Sequence, residues 1–476
     1  MLRKRVRLSP NSNLFEQDYP NTTIAALTYN AADQLTGITD SLSGINFLSF
    51  TYGRDNVGQL ASDTPKSYGY DTINRLQTYT NSNTTTYGYD HADRLTSTAI
   101  SGGGNNSALA YDNGDQLQSL TVTNGVTQIS KTTYGFDAKG NRTSASVQGG
   151  STTTLGYDQA NRLVGYGAGA TYAYDGDGLR MNKAVSGSSE AFTWDVADGL
   201  PLVIQDGNTA YVTGPSGLPL EQVNGSTIYY FHHDQLGSTR GLTDSTGSVQ
   251  QTYDFDPYGN PTASTGSLVN PSRYGGQYVD SESGLYYLRA RSYDPVIAQF
   301  ISADPAFSLT RERYQYADGN PANHTDPGGL YTFGACLSGA IAAGLRIALQ
   351  FCAVLVINTK TGHMSGGITA TQPVWGGDVF GPFNQPVPQE IGTPSVGFSA
   401  TIQQSNANRL SELAGPFVIG GASGGPITEE GGLSTTSSCG RKIGFAELGY
   451  TRGFPLVEAH VGISTTSIVR QFGSDG

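Results

Sequence analysis

A short motif that recurs between residues 29 and 180 limits the folds open to this chain of 476 residues. Each copy has an aromatic residue, usually followed by Asp, then a turn, then Arg or Gln and usually Leu. The aromatic residues stand at positions 29, 52, 70, 89, 111, 136, 157 and 174. A spacing of about twenty residues fits one β-hairpin with its connection. The repeats therefore predict an antiparallel sheet in which each hairpin is stabilised by its neighbours.

The residue types of the motif suit a tight turn between two strands. In the copy at residues 70–76 (YDTINRL), the Asp can accept hydrogen bonds from backbone N–H groups and hold the turn. Gly, Asn or Asp in the fifth place tolerates the left-handed backbone conformation that such a turn needs. The Leu after Arg is expected to return to the apolar face of the sheet.

Composition supports a mainly β fold and excludes some partners. Charged residues make up only 14% of the chain, whereas Gly (63 residues) and Tyr (28 residues) are abundant. Gly favours turns and Tyr favours strands. A net charge of −12 argues against nucleic acid as the partner of the whole chain. No metal site is predicted at His232 and His233, because adjacent strand residues face opposite sides of a sheet.

Two sequence features bear on the compartment. The three cysteines, Cys336, Cys352 and Cys439, leave the repeats without a disulfide framework, and their odd number leaves at least one thiol unpaired. Residues 1–7 are basic like the start of a signal peptide, but no apolar segment follows them. General secretory export is therefore not expected, and the cysteines leave the redox compartment open.

Further motifs lie between residues 273 and 330. They are RYGGQY at 273–278, DSESGLYYLRARSYDP at 280–295, YQYADGNP at 314–321 and DPGGL at 326–330. Together with the repeats, these motifs resemble the Rhs/YD-repeat family, most strongly over residues 229–330. The resemblance implies a curled antiparallel YD-repeat β-sheet shell, like that of teneurins, around a hollow interior. It also implies that a variable domain begins after the last motif.

Two Asp-Pro pairs frame the end of this segment, at Asp304 and Asp326. Two carboxylates brought close together can share a proton, so that one serves as a base toward water and the other polarises a peptide carbonyl. That is aspartic-protease chemistry, and it needs no cofactor or metal. Taken without the resemblance, both pairs are more typical of turns, because Pro fixes φ and Asp caps turns.

The resemblance assigns the aspartates a function. The pattern is similar to the Rhs aspartyl autoprotease motif, which implies catalysis by Asp304 and Asp326 and one cut in cis between Leu330 and Tyr331. Two residues depart from the family pattern. Phe307 stands where Gly is usual, and Gln299 stands where the family generally has Arg. These departures place self-cleavage in question.

Residues 331–476 differ in character from the rest. An apolar run at 335–357 has 23 residues, long enough to span a bilayer. Arg346 and Gln350 lie near its centre, where a charge is expensive. It is interpreted as a buried core helix, with membrane contact or storage inside the shell as alternatives. Short strands follow, and no motif of a common enzymatic toxin is recognised.

The predicted organisation is an N-terminal extension (1–24), a YD-repeat shell (25–190), an Rhs-associated core (191–330) and a small variable domain with one apolar helix and short strands (331–476). The resemblance implies that the shell encloses and releases an effector or toxin domain in competition between bacteria. It also implies synthesis in a bacterial cytoplasm, and secretion or surface display by a route without a signal peptide. Expected partners are a cognate immunity protein and a secretion component or larger Rhs chain. The alternatives are a non-catalytic adhesion protein that binds glycans or cell surfaces, and a degenerate fragment of a larger Rhs protein.

Overall fold

The computed structural model describes residues 5–9, 13–32, 34–196, 200–214, 217–305, 307 and 313–329, together with the backbone of eight strands between residues 334 and 473. The chain divides into two compact units. The first comprises Met1–Asp195 and Pro201–Gly329, and the second comprises Val196–Leu200 and Leu330–Gly476.

The first unit is built on a 26-stranded antiparallel sheet. Every strand pairs with the next one along the chain, for example β12 with β13 and β24 with β25. The prediction of a mainly β, antiparallel fold is confirmed. The strands are β1 (Arg5–Leu8), β2 (Leu14–Asp18), β3 (Thr23–Tyr29), β4 (Leu35–Leu42), β5 (Ile45–Arg54), β6 (Leu60–Asp63), β7 (Lys66–Tyr70), β8 (Leu76–Asn81), β9 (Asn83–Tyr89), β10 (Leu95–Ile100), β11 (Asn106–Tyr111), β12 (Leu117–Asn124), β13 (Thr127–Phe136), β14 (Arg142–Val147), β15 (Thr152–Tyr157), β16 (Leu163–Tyr166), β17 (Ala170–Tyr174), β18 (Arg180–Val185), β19 (Ser188–Asp195), β20 (Leu202–Asp206), β21 (Thr209–Thr213), β22 (Pro219–Asn224), β23 (Thr227–His233), β24 (Thr239–Thr243), β25 (Val249–Phe255) and β26 (Pro261–Thr265).

The recurring motif forms the turn that joins two strands. In the copy after β7, a side-chain oxygen of Asp71 accepts hydrogen bonds from the backbone N–H groups of Ile73 (3.0 Å) and Arg75 (2.9 Å). Asn74, in the fifth place, has a φ of 69°, in the left-handed region that Asn tolerates better than most residues. Leu76 then enters the core and is fully buried. The predicted roles of these three positions are confirmed.

Adjacent copies of the motif are joined by side-chain contacts. The hydroxyl of Tyr89 donates to the carbonyl of Leu76, one repeat earlier, over 2.8 Å. The guanidinium of Arg75 lies 4.4 Å from the centre of the Tyr89 ring, and it also donates to Asp93 over 2.6 Å. The next copy repeats this arrangement, because Tyr111 donates to the carbonyl of Leu95 over 2.8 Å. Each hairpin is therefore stabilised by contacts with its neighbour.

The same turn continues beyond the repeats found in the sequence. Asp234, Asp244 and Asp256 each accept backbone N–H groups two and four residues ahead. The same turn chemistry thus joins β23 to β24, β24 to β25 and β25 to β26. Sequence reasoning did not count these copies among the repeats. Thr243 stands before Asp244 where the motif has an aromatic residue, whereas Phe255 before Asp256 fits the motif and was overlooked.

Several strands of the repeats contact later parts of the first unit. Asp40 lies 2.8 Å from a ring nitrogen of His232, and both side chains are buried. Arg142 forms an ion pair with Asp294 over 2.7 Å, and the fully buried Arg180 pairs with Asp280 over 2.7 Å. These contacts join residues about 100 to 190 positions apart in the chain.

A small four-stranded sheet follows the large one and contributes to a buried aromatic cluster. Tyr286, Tyr293, Phe300 and Tyr316 are among its members, and each is almost fully buried. The elements here are β27 (Tyr278–Val279), β28 (Tyr286–Leu288), β29 (Arg291–Asp294) and β30 (Gln299–Phe300), with single-turn 3-10 helices at Tyr274–Gly276 and Ala317–Gly319.

The second unit contains a closed antiparallel sheet. Its strands are β31 (Gly334–Ala343), β32 (Leu345–Ile357), β33 (Met364–Gly377), β34 (Ser395–Ser405), β35 (Gly415–Gly424), β36 (Ile427–Ser434), β37 (Gly444–Arg452) and β38 (Glu458–Gly473). The prediction of one apolar helix at residues 335–357 is wrong, because β31 and β32 form a hairpin there. Gly339 disfavours a helix, and the β-branched residues Ile341, Ile347 and Val354 favour strands. In the part of the chain that the structure describes, none of the helices has the length and apolar character of a membrane span.

Candidate active site

The two predicted aspartates lie on turns beside the small sheet. Asp304 follows β30, and its backbone N–H donates to the carbonyl of Arg313 over 2.8 Å. Its own carbonyl accepts from the N–H of Phe307 over 3.0 Å. Asp326 lies after the second 3-10 helix, and its carbonyl accepts from the backbone N–H of Gly329 over 3.4 Å. Both Asp-Pro pairs are therefore turns, and this geometry is compatible with an additional chemical role.

One guanidinium group brings the two carboxylates into a single site. Arg291, at the start of β29, places Nη1 3.7 Å from Oδ2 of Asp304 and Nη2 3.5 Å from Oδ2 of Asp326. All three residues are buried. Removing charges from water is costly unless they are paired, so a cation between two anions compensates a buried net charge. The structure thus assembles Asp304, Arg291 and Asp326.

Arg291 is held in place by contacts other than these ion pairs. Its guanidinium lies 3.6 Å from the centre of the Phe300 ring, and its Nε donates to the carbonyl of Gly329 over 2.7 Å. Sequence reasoning did not single out Arg291, although it lies within the motif at residues 280–295. A useful signal would have been that an Asp pair buried together needs a nearby cation.

The residues that depart from the family pattern have other contacts. The side-chain amide of Gln299 donates to the hydroxyl of Tyr111 over 2.7 Å, so it is directed toward a repeat strand. The ring of Phe307 lies 3.8 Å from the guanidinium carbon of Arg313. Arg291 supplies a guanidinium to both aspartates without any contribution from position 299.

Tyr316 lies beside Asp326, and burial sets its protonation state. Burial raises the pKa of Tyr316, and the negative charge of Asp326 raises it further. The neutral Tyr316 ring stacks on Tyr293 with the ring centres 4.1 Å apart. Tyr316 therefore contributes an apolar, water-excluding wall to the site rather than an acid near neutral pH. Electrostatic interactions between charges are stronger in such a site than in water.

The described residues also bear on metal binding and on the predicted bond. Among them, no group of three or more His, Cys, Asp or Glu side chains is placed to hold a metal ion. The two ring nitrogens of His232 lie within hydrogen-bond distance of Asp40 and of the Thr243 hydroxyl, which is 2.9 Å away. Burial and, to a smaller extent, the neighbouring His232 lower the pKa of His233 to about 3. Leu330 and Tyr331, the predicted cleavage residues, lie outside the described residues.

Comparison with known proteins gives both family and curated matches. A family model described as Teneurin YD-shell matches residues 216–335. The chain is 34% identical over 177 residues to tRNA nuclease WapA of Bacillus subtilis strain 168, which covers 34% of this chain and 8% of that protein. It is 40% identical over 126 residues to Salivary gland surface protein 1 of Aedes aegypti, covering 25% of this chain and 4% of that protein.

A further curated relative is a toxin. The chain is 36% identical over 104 residues to Toxin protein Tse5 of Pseudomonas aeruginosa, covering 22% of this chain and 8% of that protein. The matched regions thus cover less than a tenth of each of these three relatives.

Proposed function

Because this chain is a member of the Rhs/YD-repeat family, we propose that it delivers a toxin in competition between bacteria. In this proposal residues 331–476 are the toxin, the YD-repeat sheet is a curled shell that encloses it, and Asp304 and Asp326 release it. The observation that carries the proposal is the contact of Arg291 with both aspartates. A cognate immunity protein and a larger Rhs assembly are the partners that such a function requires.

The proposed reaction is one hydrolysis in cis. A water molecule attacks the carbonyl carbon of Leu330, and one aspartate accepts the proton that the water loses. The other aspartate, in its protonated form, donates a hydrogen bond to the carbonyl oxygen. The C–N bond then breaks, and the nitrogen of Tyr331 takes up a proton. Arg291 orients both carboxyl groups and offsets the charge of the ionised one.

The long-range contacts of the sheet support the proposed curled shell. Residues from early, middle and late repeats (Asp40, Arg142 and Arg180) each contact the later part of the first unit, through His232, Asp294 and Asp280. A flat meander would hold such distant strands apart, since neighbouring strands lie about 5 Å from each other. A curled sheet allows all three contacts at once.

Intact mass spectrometry of the purified full chain tests the cleavage. We expect two fragments from the native chain and one intact chain from Asp304→Asn and from Asp326→Asn. Asp318→Asn is the matched control, because Asp318 lies between the two aspartates in sequence and is exposed. An uncut native chain, or equal cutting in all four proteins, would refute autoproteolysis.

A surface role is a second candidate, favoured by the similarity to Salivary gland surface protein 1. In this alternative the sheet binds glycans or cell surfaces, and residues 331–476 are harmless. Expression of residues 331–476 alone in bacteria separates the two candidates. Growth arrest supports the toxin, whereas normal growth together with binding of the full chain to cells supports the surface role.

A further inference from the structure

Three consecutive carbonyl groups just before the predicted cleavage site are held by one turn. The carbonyl of Pro327 accepts from a guanidinium nitrogen of Arg289 over 2.8 Å. The carbonyl of Gly328 accepts from the backbone N–H of Ala290 over 3.3 Å. The carbonyl of Gly329 accepts from Nε of Arg291 over 2.7 Å. Residues 289, 290 and 291 thus bind residues 327, 328 and 329 in register.

The turn that makes these contacts joins β28 to β29 and is itself fixed in an unusual conformation. Arg289 has a φ of 60°, in the left-handed region that residues other than Gly and Asn seldom adopt. Its Nε donates to the carbonyl of Pro201 over 2.9 Å, and its Nη1 also contacts Gln277. Such strain persists where the surrounding structure enforces it, and it is concentrated at functional sites.

The guanidinium of Arg289 donates to the carbonyl of Pro327 rather than to a carboxylate. Burial lowers the pKa of Arg289 to about 10, and the nearby carboxylate of Asp326 opposes that shift. Arg289 therefore remains a cation at neutral pH. A hydrogen bond from a charged donor is roughly twice as strong as a neutral one, so the bond to Pro327 anchors the segment.

The contact with this turn also requires glycine at position 329. Gly329 has a φ of 68°, and a Cβ atom there would lie 2.8 Å from the carbonyl oxygen of Leu288 and 3.0 Å from the backbone nitrogen of Arg291. A side chain would therefore push the segment off the turn. The close approach of two backbones explains why the motif DPGGL carries Gly at this place.

We infer that the turn at residues 289–291 is a peptide-binding site for residues 327–329 of the same chain, with Arg289 as a positioning residue for the cut after Leu330. The catalytic part of this inference rests on the proposed function. The turn fixes the backbone of the segment that leads to the cut bond, as a protease groove fixes its substrate. Misplacement of a reacting bond by about 1 Å can slow a reaction about 100-fold.

Arg289→Gln tests the inference, with Arg273→Gln as the matched control. Arg273 also donates to a carbonyl, that of Asn270 over 3.1 Å, and lies over the Tyr253 ring, but it makes no contact with residues 327–329. The first readout is the rate of self-cleavage by intact mass. The second is digestion by thermolysin before Leu330, measured in an Asp304→Asn background in which self-cleavage is off.

We expect Arg289→Gln to slow self-cleavage at least 10-fold and to speed thermolysin cutting at least 10-fold, while Arg289→Lys restores part of both. Arg273→Gln should leave both rates unchanged. If Arg289→Gln alters neither thermolysin cutting nor self-cleavage, the binding site is refuted. If it opens the segment to thermolysin but self-cleavage continues at the native rate, the positioning role is refuted.

The two proposals fail in different ways. If the native chain never cuts itself, the proposed function falls, and thermolysin still decides whether the turn binds the segment. Should Arg289→Gln lose the cooperative thermal transition, Gly329→Ala replaces it, because this change disrupts the contact from the side of the segment. Equal thermolysin resistance of Gly329→Ala and the native chain would then overturn the inference.

Discussion

The repeat turns and the candidate active site use the same two residue types for different purposes. In the repeats, Arg94 pairs with Asp90 four residues away, and about a quarter of each side chain is exposed. In the site, Arg291 pairs with Asp326 35 residues away, and their side chains are only 3% and 2% exposed. An exposed pair contributes little to stability and mainly shapes its turn, whereas breaking a buried pair leaves an uncompensated charge. Burial, rather than residue type, separates the structural pairs from the candidate functional pair.

The largest expected effect is a loss of unfolding free energy when Arg291 is replaced, compared with the same replacement at Arg94. Arg291→Met should reduce the free energy of unfolding by about 3–5 kcal/mol, because two buried carboxylates lose their partner. Arg94→Met should cost only about 1 kcal/mol, because water screens the charges that remain. Equilibrium denaturation by urea measures both values. Equal losses of unfolding free energy in the two variants would show that burial does not separate the two ion pairs.

The response to pH should separate buried carboxylates from those of the turns. Burial raises the pKa of Asp63 to about 6, against the attraction of Lys66 and Arg240. A raised pKa means that the folded chain binds the proton more tightly, so this contribution to stability is present below pH 4 and is lost as the pH rises to about 6. At Asp90, burial acts to raise the pKa, but hydrogen bonds from Arg94 and the turn outweigh it and lower the pKa. Its contribution therefore has the opposite sign and is lost as the pH falls below 4.

Asp63→Asn measures this difference, because Asn stays neutral at every pH. The variant should gain about 2 kcal/mol of unfolding free energy relative to the native chain between pH 4.5 and pH 7.5, because the pKa of Asp63 is about 6 in the folded chain and about 4 in the unfolded chain. Denaturation curves at several pH values give the difference directly. If the difference in unfolding free energy between the variant and the native chain does not depend on pH, burial does not raise the pKa of Asp63.

The smallest expected effect concerns the coupling between neighbouring repeats. The Tyr174 hydroxyl donates to the carbonyl of Leu163 over 2.7 Å. Tyr174→Phe keeps the ring under Arg162 but removes this hydrogen bond, so it should cost about 1 kcal/mol. Thermal unfolding of the variant measures the loss. No change would mean that ring packing alone joins the repeats.

The sequence was sufficient to predict the repeat turns because the hydrogen bonds that close each turn are local. Asp71, Asn74 and Leu76 lie within one motif, and each plays the role that its chemistry implies. Arg291 could not be recognised in this way, since its partners lie 13 and 35 residues further on and meet it only in the folded chain. The apolar run at 335–357 was misjudged because apolar length alone does not distinguish a helix from a pair of strands.

The identity of the first residue of any released fragment tests the central claim most directly. The full chain is purified and incubated, and each fragment is analysed by N-terminal sequencing, with Asp326→Asn treated in parallel. The account predicts one new N-terminus, at Tyr331, in the native chain and none in the variant. A new N-terminus elsewhere, or one at Tyr331 that persists in Asp326→Asn, would contradict it.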